Sequence, residues 1–181
     1  MHIRHALAVL TALMFATTAG TAYAATTGNT TTTFSVAGGA LAITVPPSTV
    51  SLGSGPPGTQ ITAQLGAVQV TDARALLVAA WTSSVTATSF TTGGGTGPET
   101  IANSAVSYWS GPATATTGLG TFTPGQANAA AAVTLATSRT AFTLTLGVGD
   151  NSATWNPTLI VSVPAAAVAG TYTGTVTHSV A

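Results

Sequence analysis

A two-residue period, apolar side chains alternating with threonine, is the feature that most restricts what this chain can fold into. Between Val78 and Phe90, Ala79, Trp81, Val85 and Ala87 fall on one side and Thr82, Ser84, Thr86 and Thr88 on the other. A β-strand makes that separation and a helix does not. The pattern returns with Leu41, Ile43 and Val45, with Ile61, Ala63 and Leu65, and with Val68 and Val70. It returns again with Phe142, Leu144, Leu146 and Val148 against Thr143 and Thr145, and with Tyr172, Val176 and Val180 against Thr171, Thr173, Thr175 and Thr177. Pro46-Pro47 and the Gly53 to Gly58 cluster punctuate the runs. Short β-branched segments between Gly/Pro turns predict an all-β fold, an antiparallel β-sandwich with short helical connectors. The connectors are expected at Gln126 to Ala132 and at Pro164 to Ala169, the latter opened by proline and closed by Gly170. Gly147 to Ser152 reads as a turn stabilised by Asp150 and Asn151.

Composition then decides what covers those strands. Charged residues make up 3% of the chain, against roughly 25% in an ordinary domain. Lysine is absent, and 3 Arg face 3 Asp+Glu. Neutralising phosphates takes clustered cations, so nucleic acid is excluded as a partner class. Hydroxyls take the outward positions where charges usually sit. With so little electrostatic repulsion between molecules, self-association is expected more readily than from a typical soluble enzyme.

The N-terminus reads as an address. Arg4 lies between two histidines, Ala6 to Phe15 is mostly apolar, and Ala22-Tyr23-Ala24 is a small-x-small site. This is the layout of a secretory signal peptide, residues 1–24, with an apolar run too short to span a bilayer. Residues 25–33, rich in Thr, form an expected flexible leader, and 34–181 a single domain starting near Phe34. No transmembrane helix is expected after cleavage. The absence of Cys is compatible with export, because a domain of this length builds a core without disulfides. The chain ends at Ala181 inside a strand pattern without a sorting motif, so any attachment to the envelope is expected to be non-covalent or through a partner.

Groups for catalysis are few. After Ala24 the chain carries one histidine, His178, and the carboxylates Asp72, Glu99 and Asp150. There is no Gly-x-Ser-x-Gly elbow, and His178 shares the apolar face of the last strand, the place of a packed, hydrogen-bonded core histidine. The chain is therefore read as no enzyme. Zinc requires three or four His, Cys or carboxylate ligands, and Gly147 to Ser152 lacks the acid ladder of a calcium loop, so no metal or other cofactor is expected. Gly93-Gly94-Gly95-Thr96-Gly97 lacks the lysine and following helix of a phosphate cradle. What remains is aromatic rings and hydroxyls, which suit carbohydrate: rings stack on sugar faces and hydroxyls exchange hydrogen bonds with them. Tyr108, Trp109 and Trp155 are the candidates, with core packing as the competing role for each. The Ser and Thr clusters at Ala25 to Thr33 and Thr91 to Thr100 are candidate acceptors for O-linked sugars.

From Phe34 to Ala181 the chain resembles the WxL domain family of Gram-positive surface proteins. The carriers are Gly39-Ala40-Leu41-Ala42-Ile43 before Val45-Pro46, then Val68-Gln69-Val70-Thr71-Asp72-Ala73-Arg74, and Ala80-Trp81-Thr82-Ser83-Ser84-Val85. Toward the C-terminus they are Val161-Ser162-Val163-Pro164 and Gly170-Thr171-Tyr172. The two Trp-x-Leu positions read Trp81-Thr82-Ser83 and His178-Ser179-Val180 here. The resemblance implies an exported β-domain held non-covalently to the cell wall through peptidoglycan, with Trp81 and the Asp72-x-Arg74 pair as candidate binding residues. A turn in which Asp72 accepts backbone hydrogen bonds is the alternative for that pair. The expected partners are thus cell-wall glycan or other surface proteins.

Overall fold

The computed structural model describes residues 27–47 and 49–181; the segment read as a signal peptide lies outside them. Among the described residues twelve strands follow one another: β1 (Leu41–Thr44), β2 (Gln60–Gln64), β3 (Val68–Asp72), β4 (Ala79–Ala87), β5 (Phe90–Thr91), β6 (Thr100–Ile101), β7 (Val106–Trp109), β8 (Ala113–Pro124), β9 (Val133–Thr134), β10 (Arg139–Trp155), β11 (Thr158–Ser162) and β12 (Val176–Val180). The helical elements among the described residues are single 3₁₀ turns at Gly97–Glu99, Asn103–Ala105 and Ala129–Ala131. The fold is thus nearly all-β, and every strand pairing is antiparallel. No helix among the described residues is long and apolar enough to cross a membrane.

The largest sheet is organised by β10. On one side β8 runs along nearly its whole length; on the other, β4 pairs with Arg139 to Gly147 and β3 with Asn151 to Trp155. β3 and β4 therefore lie end to end, joined by the loop from Ala73 to Val78, with β1 beside β3 and β12 beside β4. A second sheet takes the order β2-β11-β7-β9, and β5 and β6 form a small ribbon. Both larger sheets feed one core, in which Trp81, Phe142 and Trp155 of the first meet Tyr108 and Leu159 of the second. Trp155 stacks on Phe142 at 4.9 Å between ring centroids, and Trp81 lies 6.4 Å from Phe142.

The period of two places most inward residues where the sequence puts them. In β4, Ala79, Trp81, Ser83 and Val85 are buried while Thr82 and Thr86 are exposed; in β3, Val68 and Val70 are buried. β10 departs from the expectation. Phe142 and Leu144 are buried, but Leu146 and Val148 are exposed. Between Leu144 and Gly147 β10 holds one residue more than β4, a β-bulge that reverses the inward parity, and Leu146 sits within it at φ 54°. Beyond the bulge the inward set is Asn151, Ala153 and Trp155. The segment read as a turn at Gly147 to Ser152 is thereby strand, bent but still paired.

The structure also shows where elements and connectors begin and end. Only Ala129–Ala131 of the Gln126 to Ala132 connector is helical, capped by the Asn128 side chain, and Gln126 is buried. Pro164 to Ala167 makes a single hydrogen-bonded turn. Tyr172 precedes the last strand, which begins at Val176, and donates its hydroxyl to the carbonyl of Val168 at 2.9 Å. Phe34 and Val36 are exposed, and the first strand begins at Leu41.

Candidate functional site

Two polar constellations are built into the sheets. The first sits where β3 ends and β4 begins. Asp72 is buried, yet its carboxylate is fully engaged: Arg74 Nε donates to Oδ1 at 2.8 Å, an Arg74 terminal nitrogen to Oδ2 at 2.9 Å, and the Arg74 backbone N–H to Oδ1 at 3.1 Å. The fork-on-fork pairing is the strong form of a carboxylate–guanidinium contact. The same guanidinium donates to the carbonyl of Ala80 at 2.9 Å, tying the loop to the start of β4. Asp72 lies opposite Asn151 in the ladder, and Oδ1 of Asn151 accepts the indole N–H of buried Trp81 at 2.8 Å. Three of the expected site residues, Asp72, Arg74 and Trp81, thus share one clasp, with Asn151 as the member sequence reasoning missed. Arg74 holds the Asp72 carboxyl below the usual carboxylate range; burial opposes the shift, and the backbone N–H of Arg74 and the Asn151 side chain add to it.

The second constellation joins the sheets. The indole N–H of Trp155 donates to the Tyr108 hydroxyl at 3.3 Å, and that hydroxyl lies 3.1 Å from Nε2 of His178. Indole nitrogen can only donate, so the tyrosine O–H is free to donate to Nε2 when the neutral imidazole carries its proton on Nδ1. Burial pushes the His178 pKa down to about 4 and pushes the Tyr108 phenol up. Neutral His178 packs 5.6 Å from the Tyr108 ring and 6.4 Å from that of Trp155. His178 is thus packed and hydrogen-bonded on the inward face of its strand, half-buried at the edge of the core.

Of the four aromatic candidates, Trp81, Tyr108 and Trp155 are closed to solvent. A ring without accessible face cannot stack on a sugar, so their packing role excludes a platform role in this conformation. Trp109, which alternates with Tyr108 along β7, keeps part of its surface open. Beside His178 an apolar cleft of about 340 Å³ is lined by Leu65, Val68, Phe90, Leu159 and Val176. A neighbouring groove of about 660 Å³ shares Phe90 and continues over Ile61 and Val161 to Tyr172. Among the described residues no three His, Cys, Asp or Glu side chains gather as a metal site would require.

The parity of Asn151 with Ala153 and Trp155 was the available signal for its burial. It was masked by an Asp-Asn pair that resembles a turn. Comparison with protein families, with characterised proteins and with solved structures finds no match.

Proposed function

We propose that the protein is exported and acts without catalysis at the cell surface, held non-covalently to the cell wall through peptidoglycan. In this reading residues 1–24 are a secretory signal peptide, and the two larger sheets around one aromatic core are a β-sandwich of the kind the WxL resemblance implies. The observation that carries it is the hydroxyl coat. Thr82 and Thr86 on β4, Thr114, Thr116, Thr117, Thr121 and Thr123 on β8, Thr145 on β10 and Thr177 on β12 are all exposed. Such a surface exchanges hydrogen bonds with sugar hydroxyls at no cost in desolvated charge. Trp109 is the candidate ring for stacking, while Asp72, Arg74 and Trp81 hold the scaffold in register. The test is co-sedimentation of the exported protein with purified sacculi. Retention that survives high salt is expected, because no ion pairs are invoked; recovery entirely in the supernatant overturns the reading.

A second reading, a structural subunit of a surface layer or appendage, is favoured by β8. It is 12 residues long, mostly exposed, free of charge, and paired only with β10 among the described strands. Uncharged free edges of that length are templates for pairing with another chain. Concentration-dependent growth in light scattering supports this reading, and its absence removes it.

A further inference from the structure

We infer that two copies of the chain associate through the apolar face at the bend of β10, independently of what the surface binds elsewhere. The bend gathers exposed large side chains from three elements. Leu77, Val78, Leu119 and Leu146 are 82%, 73%, 69% and 76% exposed, with Leu76 and Val148 at 41% and 46%. Leu119 and Val148 oppose each other across β8 and β10. The N–H of Gly149 donates to the carbonyl of Leu76 at 2.8 Å, and Gly147, next to Leu146, pairs with Ala79, next to Val78. The six exposed residues are therefore gathered around one backbone junction, where β8, β10 and the loop after β3 meet.

That face is held in place by unusual backbone. Ala75 and Leu146, both at φ 54°, are the non-glycine residues with positive φ among those described, and both lie here. Gly118 at φ 82° and Gly120 at φ 143° bracket Leu119. Left-handed conformation is sterically unfavourable at an L-residue, and here it places leucine in water, where packing returns nothing to the monomer. Strain that persists while exposing apolar surface marks a site completed by a partner. The Arg74 clasp fixes the ends of the loop carrying Leu76 to Val78, which lowers the ordering cost of association.

Area and charge select the occupant. Scaled by the fractional exposures, the six side chains present roughly 600 Å² of apolar surface, at the upper end for a monomer and close to the ~800 Å² each partner contributes to a standard interface. None of the six is charged, and the nearest charges in sequence are Arg74, paired with Asp72, and Asp150, exposed beyond Val148. A two-fold axis thus brings identical faces together without like charges at the centre.

Sedimentation velocity of the exported protein across about 1 to 100 µM tests the inference. The comparison is with a Leu77→Asn/Leu119→Asn/Leu146→Asn variant and with Val168→Asn, a control outside the face. A dimer is expected for the unaltered chain and the control, and a dissociation constant raised at least ~100-fold for the triple variant. A monomer throughout, a dimer that survives the triple substitution, or open-ended assembly overturns it. So does a monomer that instead pellets with phosphatidylcholine vesicles. If the triple variant loses its near-UV circular dichroism, amide exchange of the unaltered chain decides. Slowing at residues 75–79 and 145–149 with rising concentration supports the dimer, and unchanged exchange overturns it.

Discussion

The indole N–H of Trp81 reaches Oδ1 of Asn151 across 2.8 Å, tying β4 to the second half of β10 just past the bulge that reverses its parity. Both groups are buried, so each depends on the other for its hydrogen bond.

Asn151→Ala strands that indole N–H and removes a neighbour of the Asp72 carboxylate. A loss of roughly 2 kcal/mol is expected in urea unfolding. Combined with Trp81→Phe, the cost should fall below the sum of the single losses, because the second substitution removes the orphaned donor.

Asp72 contributes to the acid sensitivity of the fold. Its folded pKa lies below its ordinary 3.8, chiefly through the Arg74 guanidinium. The stability it contributes is complete above that ordinary value and is lost as pH falls through the folded one. Asp72→Asn should flatten the stability–pH curve below about pH 4. At neutral pH Arg74→Ala should cost about 2 kcal/mol, by removing the guanidinium and leaving the backbone N–H of residue 74 as the carboxylate's remaining donor from that residue. Thermal melts from pH 2.5 to 7, values that bracket the ordinary carboxylate range, check both.

His178 acts over a higher window. Its pKa falls from 6.5 unfolded to about 4 folded, so the unfolded chain binds the extra proton between those values. Stability is full above 6.5, declines as pH falls toward 4, and changes no further below it through this group. The decline amounts to at most about 3 kcal/mol, reduced by the solvent that reaches the half-buried ring. In His178→Gln that part of the pH dependence should vanish, and the imidazole resonances of the unaltered protein should titrate well below those of a free histidine.

Leu146 carries its strain in the open. Leu146→Gly relieves φ 54° without removing a core contact. A monomer more stable by about 0.5–1 kcal/mol is expected, together with weaker self-association. Chemical denaturation and sedimentation on the same sample separate the two effects.

The inward parity of β3, β4 and the first half of β10 was readable because each is a short run with one face in the core. There the burial of Trp81 or Val70 follows from counting by twos. The count fails in β10 after Leu144: one inserted residue exchanges the two faces, and Leu146 and Val148 turn outward. No residue type announces that insertion. It lies where β10 passes from β4 toward β3 along its length, a relationship that appears only once the strands are paired.

The sequence by itself determined that this chain folds as antiparallel strands, that hydroxyls instead of charges face the water, and that His178 is a packed side chain on the inward face of the last strand. These follow from local alternation and composition, which each segment carries alone. Tertiary structure decided that Asp72, Arg74, Trp81 and Asn151 form one clasp, that three of the four aromatic candidates are closed to solvent, and that six exposed apolar residues gather around the bend of β10. Those outcomes depend on register between strands far apart in sequence, as in the Trp81–Asn151 contact, which spans 70 residues. A single-residue shift in register moves every side chain of a strand to its other face.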